Sequence, residues 1–202
     1  GRESKFTTAR GTFADVRGGH GRELMVSGEP AIGKTTFAGA VVTEALAAGF
    51  ATGWGVCAEA GDLPGLLPLQ LMIESLLSGL EPERSQAIRG RHASLSSLVS
   101  HDSPEYAVEE TVDIDTATFR RATGLAALVR EIGPSVLVVD DIQWADEPTL
   151  ATLRTWIQHL ARVPALLVLT VRSAELDISP QVATLLAELA RSHPVRIPLS
   201  GL

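Results

Sequence analysis

The chain is predicted to be an α/β domain, a parallel sheet covered by helices on both faces. Three observations carry that expectation. Apolar runs alternate with stretches of helical periodicity along the chain. Two of the runs, Ser135-Val-Leu-Val-Val-Asp140 and Ala165-Leu-Leu-Val-Leu-Thr-Val171, are almost wholly apolar, as strands buried on both faces are. One strand–loop–helix unit contains Gly28-Glu-Pro-Ala-Ile-Gly-Lys-Thr35, which fits the phosphate-binding pattern G-x-x-x-x-G-K-[ST] without a mismatch. Strands alternating with helices require right-handed crossovers, hence a parallel sheet in three layers.

Arg22-Glu-Leu-Met-Val-Ser27 reads as the first strand, and residues 34–48 as the helix that follows the loop. Thr52-Gly-Trp-Gly-Val-Cys57 reads as the second strand. Leu66 to Leu80 places leucines and Met72 at helical spacing, with Gly79 near the end. Arg84 to Ser100 holds a candidate helix, and the acidic stretch Asp102 to Asp115 is expected as a solvated loop. Thr116 to Ile132 is an amphipathic helix closed by Gly133-Pro134. After the strand ending at Asp140, Pro148 to Arg162 is helical. Ser179 is the expected cap, and Pro180 the first residue, of a last helix running to about Arg191. Val195 to Leu199 is a fifth strand, with a weaker pattern.

Bulk composition narrows the function classes. The 202 residues suffice for one domain with a substantial core, and 45% hydrophobic with 20% charged residues is an ordinary globular balance. A net charge of −7 argues against direct DNA binding by this segment. Cys57 is the single cysteine, so no internal disulfide can form, and a reducing, cytoplasmic location is expected. No run of about 20 apolar residues could span a bilayer, and no secretory signal is visible. The chain starts at Gly1, and its last residues look like a strand running onward. Residues 1–202 are therefore expected to be a single domain taken from a longer multidomain protein.

The loop defines a ligand class. Its glycines let the backbone curl so that several N–H groups point at one phosphate chain, and the helix beginning there adds its positive end. Gly28, Glu29, Pro30, Ala31, Ile32 and Gly33 form the cradle. Lys34 is expected at the β- and γ-phosphates, the Thr35 hydroxyl on Mg²⁺, and Thr36 at the α-phosphate.

A second group of residues belongs beside it, because ligands of such sheets lie at the carboxyl ends of the strands. Asp140, at the tip of a buried strand, is the candidate Mg²⁺ carboxylate, acting through water. Asp141 is placed to orient the attacking water, with a shorter side chain than the Glu many ATPases use there. Arg172 ends another strand. It either meets the γ-phosphate and the charge that develops during transfer, or pairs at the surface with Glu175.

Asp140-Asp-Ile-Gln-Trp-Ala-Asp146, after four apolar residues, resembles the extended Walker B box of STAND-type ATPases, signal-transduction relatives of the AAA+ group. The chain is most similar to the ATPase domain of large ATP-binding regulators of the LuxR class. A similar domain occurs in some multidomain kinases and adenylate cyclases. Gly1-Arg2-Glu3, the phosphate loop, Gly55-Val-Cys57-Ala-Glu59 with Pro64 and Pro68, and Thr170-Val-Arg172 with Glu175-Leu176 carry the rest of the resemblance. It implies a P-loop NTPase core with strand order 5-1-4-3-2, ATP or ADP bound with Mg²⁺, and a switch between nucleotide states. It also implies that Arg2 lies near the adenine side. The helical and winged-helix segments that close over the nucleotide in that family, and its helix-turn-helix, are not in this sequence. Expected partners are nucleotide, other domains of the same chain and, with ATP bound, further copies of the chain; no membrane is expected.

Other residues have plainer expectations. Trp144 is assigned to core packing, and Asp146 to capping the helix near Pro148. Cys57 is assigned a buried position without redox chemistry. The five histidines lack metal-ligand spacing. Three functions remain open: an ATP/ADP switch with slow hydrolysis in a transcriptional or signalling regulator, a nucleotide-binding scaffold or oligomerisation module without turnover, and a small-molecule kinase. No acceptor-binding signature supports the last.

Overall fold

The computed structural model describes residues 2–59, 64–93, 95, 114–172 and 179–200. Five strands form one sheet: β1 (Arg22–Gly28), β2 (Ala51–Val56), β3 (Ser135–Asp140), β4 (Ala165–Arg172) and β5 (Val195–Leu199). Their spatial order is β2-β3-β4-β1-β5, the expected 5-1-4-3-2 seen from the other edge, and every pairing is parallel. Among the described residues the helices include α1 (Arg2–Arg17), α2 (Lys34–Ala47), α3 (Leu67–Ser78), α4 (Pro82–Arg91), α5 (Ile114–Ile132), α6 (Glu147–Leu160) and α7 (Pro180–Arg191).

The uniform apolar run of β3 resolves into two faces. Val136 and Val138 enter one core, with Phe37, Val41 and Ala45 of α2 and Ala9, Phe13 and Val16 of α1. Leu137 and Val139 enter the other, with residues of α3, α5, α6 and α7. β4 divides the same way, Leu166 and Val168 against Leu167 and Leu169. Burying each such side chain contributes about 1.5–3 kcal/mol, so neither face has a use for polar residues. Helix starts follow the expected local chemistry: Ser179 Oγ accepts the Val182 N–H at 3.3 Å, and Pro180 takes the first turn of α7.

Three elements differ from expectation. Residues 4–21 carry no sequence expectation beyond Gly1-Arg2-Glu3, yet they lie almost entirely within α1. Its Phe6 stacks on Phe37 with ring centroids 4.5 Å apart, and Lys5 Nζ donates to the Pro198 carbonyl of β5. The acidic loop expected up to Asp115 ends sooner, because Ile114 and Asp115 begin α5; the carboxylate in that first turn faces the helix's positive end. The rest of that stretch lies outside the described residues. The helix expected in 84–100 begins earlier, at Pro82, and α4 closes at Arg91.

Strand β2 has to accept α3 at unusually short range. A Cβ on Gly55 would lie 2.0 Å from the Pro68 carbonyl oxygen, so only glycine fits. Among the described residues no helix is long and apolar enough to cross a membrane.

Candidate nucleotide-binding site

Strand order decides what meets at the top of the sheet. β4 lies between β1 and β3, and Gly28 pairs in register with Arg172. The phosphate loop after β1, the Asp140-Asp141 corner after β3 and the end of β4 therefore converge.

The loop turns on Ala31, at φ 59°, and on Gly33, at φ 96°. Gly33 is the N-cap of α2 and carries no side chain to satisfy the first-turn N–H groups, which leaves that helix end suited to an anion. Lys34 is 6% exposed, and its ammonium folds back to donate to the carbonyls of Gly28 at 3.2 Å and Glu29 at 3.1 Å. A buried ammonium needs such partners, and incoming phosphate oxygens would replace carbonyl partners with charged ones. Ile32 packs towards the α2 core and anchors the loop.

Across the loop stands Asp140, 4% exposed. Its Oδ2 accepts the Thr35 hydroxyl at 2.8 Å, and its Oδ1 accepts the Thr170 hydroxyl. A threonine hydroxyl beside a carboxylate is a hard-oxygen pair of the kind Mg²⁺ takes, so these residues fit that ion. Asp141 turns out of β3 in the left-handed region, at φ 58° and ψ 51°. Its backbone N–H donates to Thr170 Oγ1 at 2.7 Å, and its Oδ1 accepts Gln143 Nε2 at 2.8 Å. Asp141 and Arg172 line one cavity of about 280 Å³ together with Pro30, Ala31 and Gly33 of the loop and Lys34, Thr35 and Thr36 of α2. The Arg172 guanidinium carbon lies 5.1 Å from the centroid of the Trp144 ring.

A family profile matches residues 1–171 under the description AAA ATPase domain. The chain belongs to the AAA ATPase domain family. It is accordingly a nucleotide-binding, ATPase-like P-loop domain. No curated protein matches the chain. Among solved structures, the Aeropyrum pernix ORC2 protein, in ADPNP–ADP complexes, is similar over 96% of this chain and 46% of its own, with TM-score 0.53 and 15% identity. A Walker-type ATPase of Pyrococcus abyssi is similar over 100% of this chain and 54% of its own, with TM-score 0.50 and 14% identity. The chain thus spans about half the length of either, and the likeness is one of fold.

Within this AAA ATPase domain, most of the expected site residues come together: the loop, Lys34, Thr35, Thr36, Asp140, Asp141 and Arg172. Arg2 opens α1, but the adenine-side role expected of its side chain lies outside the described residues, as does Glu175, the alternative partner of Arg172. Asp146 caps α6 as expected, accepting Thr149 N–H at 2.8 Å and its hydroxyl at 2.9 Å. Trp144 is only partly buried; it packs against the core and also carries the Arg172 guanidinium. Cys57 is buried beside the corner, its thiol pushed up to about 12, first by burial and then by the charges of Asp146, Asp141 and Asp140. Among the described residues no three metal-binding side chains cluster.

Sequence reasoning overlooked Thr170 and Gln143. Thr170 is fully buried and serves Asp140 and Asp141 at once. The available signal was a hydroxyl inside an otherwise apolar strand, since a buried polar group needs a partner.

Proposed function

We propose that this domain is an ATP/ADP switch with slow, Mg²⁺-dependent hydrolysis, acting inside a multidomain transcriptional or signalling regulator of the STAND type, as in LuxR-class proteins. The observation that carries the reading is the Thr35–Asp140 hydrogen bond, with Asp141 and Arg172 on the same cavity as the loop. Support for the regulatory context is the Asp140 to Asp146 box. The expected partners are other domains of the chain and, in the ATP state, further copies of it, in the cytoplasm.

The residues divide the work. Loop N–H groups and Lys34 hold the phosphate chain. Thr35 and Asp140 are the residues that would hold Mg²⁺, whose charge would offset that of the β- and γ-phosphates. Hydrolysis joins a water oxygen to the γ-phosphorus and breaks its bond to the bridging oxygen. Asp141 orients that water and accepts its proton, and Arg172 faces the charge developing on the γ-phosphate oxygens.

Titration calorimetry with ATP and ADP, with and without Mg²⁺, tests the reading; absence of binding at millimolar nucleotide sinks it. A second reading, a nucleotide-binding scaffold without turnover, is favoured by the short Asp141 side chain, one oxygen of which is already engaged by Gln143. Phosphate release that is equal in wild type and Lys34→Ala would favour the scaffold.

A further inference from the structure

Asp141 follows β3 and Arg172 ends β4, yet one side chain touches both. Gln143 sits in the short 3₁₀ turn Ile142–Trp144, which is pinned by the fully buried Ile142 and closed by Trp144 N–H donating to the Asp141 carbonyl at 3.0 Å. Its Nε2 donates to Asp141 Oδ1 at 2.8 Å, and its Oε1 accepts the Arg172 backbone N–H at 3.3 Å. The next residue, Trp144, lies against the Arg172 guanidinium.

We propose that Gln143 is a positioning residue that locks Asp141 to Arg172, so that the pocket senses the γ-phosphate as one unit. The inference rests on the nucleotide-switch reading. A primary amide offers, within one plane, a donor to a carboxylate and an acceptor to an N–H. Its orientation is set by its neighbours, because flipping it would place oxygen against oxygen and N–H against N–H. One Asp141 oxygen is thereby occupied, and the other is left for water. Arg172 is fixed at its backbone by Gln143 and at its head by the Trp144 ring, an attraction that does not consume the guanidinium N–H donors. ATP and ADP differ by the group these two residues face, so a displacement at either one reaches the other through a single amide.

The test compares affinities for ADP and a non-hydrolysable ATP analogue, each with Mg²⁺, by calorimetry. Wild type is expected to distinguish the two at least fivefold through Arg172. Gln143→Met, similar in size but without either hydrogen bond, is expected to bring that ratio within twofold of Arg172→Ala, with ADP affinity within twofold of wild type. Adding Arg172→Ala to it should change nothing further. Gln143→Glu keeps the acceptor but turns a carboxylate on Asp141, and should also lose the discrimination. The exchanged pair Asp141→Asn with Gln143→Glu restores donor to acceptor with the atoms swapped, and should recover it. That rescue distinguishes positioning from general structural damage, and with Gln143→Glu it decides the matter if Gln143→Met melts early. Wild-type discrimination that survives both Gln143 variants, additivity with Arg172→Ala, or failure of the exchanged pair overturns the inference while leaving the switch reading intact. Wild type that binds neither nucleotide overturns the reading itself.

Discussion

The two ends of the sheet are built from the same strands and carry opposite chemistry. At the carboxyl end, the N-terminus of α2 and the loop surround a cavity of about 280 Å³. At the amino end, a larger one of about 430 Å³ lies between the start of β1 and the last turns of α6 and α7, lined among others by Arg22, Glu23, Glu188 and Arg191. Size would choose the wrong one. The amino-end cavity receives helix C-termini, whose partial negative charge repels phosphate, and Glu23 and Glu188 add carboxylates. Arg22 there is already engaged by Asp15 at 2.7 Å. The direction of the strands, and of the helices they dictate, locates the anion site in a way that volume does not.

The strongest way to break this contrast is to strike one end and watch the other. Lys34→Ala should weaken ATP binding at least a hundredfold and reduce phosphate release to background, whereas Glu23→Gln at the far end should leave both unchanged. Phosphate-release assays and calorimetry on the two variants decide it. Next in size is Thr170→Val, which keeps the shape but leaves Asp140 and the Asp141 N–H without their shared partner. An unsatisfied buried group costs about 1–3 kcal/mol, so denaturant unfolding should show a loss of that order. Phosphate release should fall about tenfold, and an unchanged rate would remove Thr170 from the site.

A smaller effect belongs to the amino end. Burial raises the Glu23 carboxyl above its usual 4.5, against the lowering pull of hydrogen bonds from its own backbone and Ser192 and of the Arg22 charge. A raised acid holds its proton more tightly when folded, so its contribution is present below the unfolded value and is lost as pH rises through the folded one. Glu23→Gln, which mimics the protonated form, should therefore raise Tm at pH 7, with the gap closing towards pH 4. A gap that widens on acidification would reverse the sign. The smallest effect is at Cys57. With its thiol at about 12, it should react with a thiol reagent at pH 8 only as fast as the fold opens, tracking denaturant concentration.

How much was legible in the sequence follows from how each signal is encoded. β3 and β4 were plain because burial on both faces leaves polar residues only at or near the strand ends. The phosphate loop was plain because its geometry needs particular residue types at fixed spacing. Helix α1 was not, because its core-facing side has few apolar residues, Phe6, Ala9, Phe13 and Val16, with the buried Thr12 among them, in a helix otherwise mostly polar and charged. Thr170 and Gln143 were hidden for another reason. Their role lies in contacts made across neighbouring strands, Asp141 N–H to Thr170 at 2.7 Å and Arg172 N–H to Gln143 at 3.3 Å, and neither composition nor periodicity encodes that.

Asp141 holds a backbone conformation that suits glycine, at φ 58°. Glycine there would relieve about 1 kcal/mol of steric strain. A lineage released from any need to act on nucleotide, and selected only to persist, would drift towards glycine at this corner. An aspartate retained at this position across relatives would record selection for chemistry against the preference of the chain.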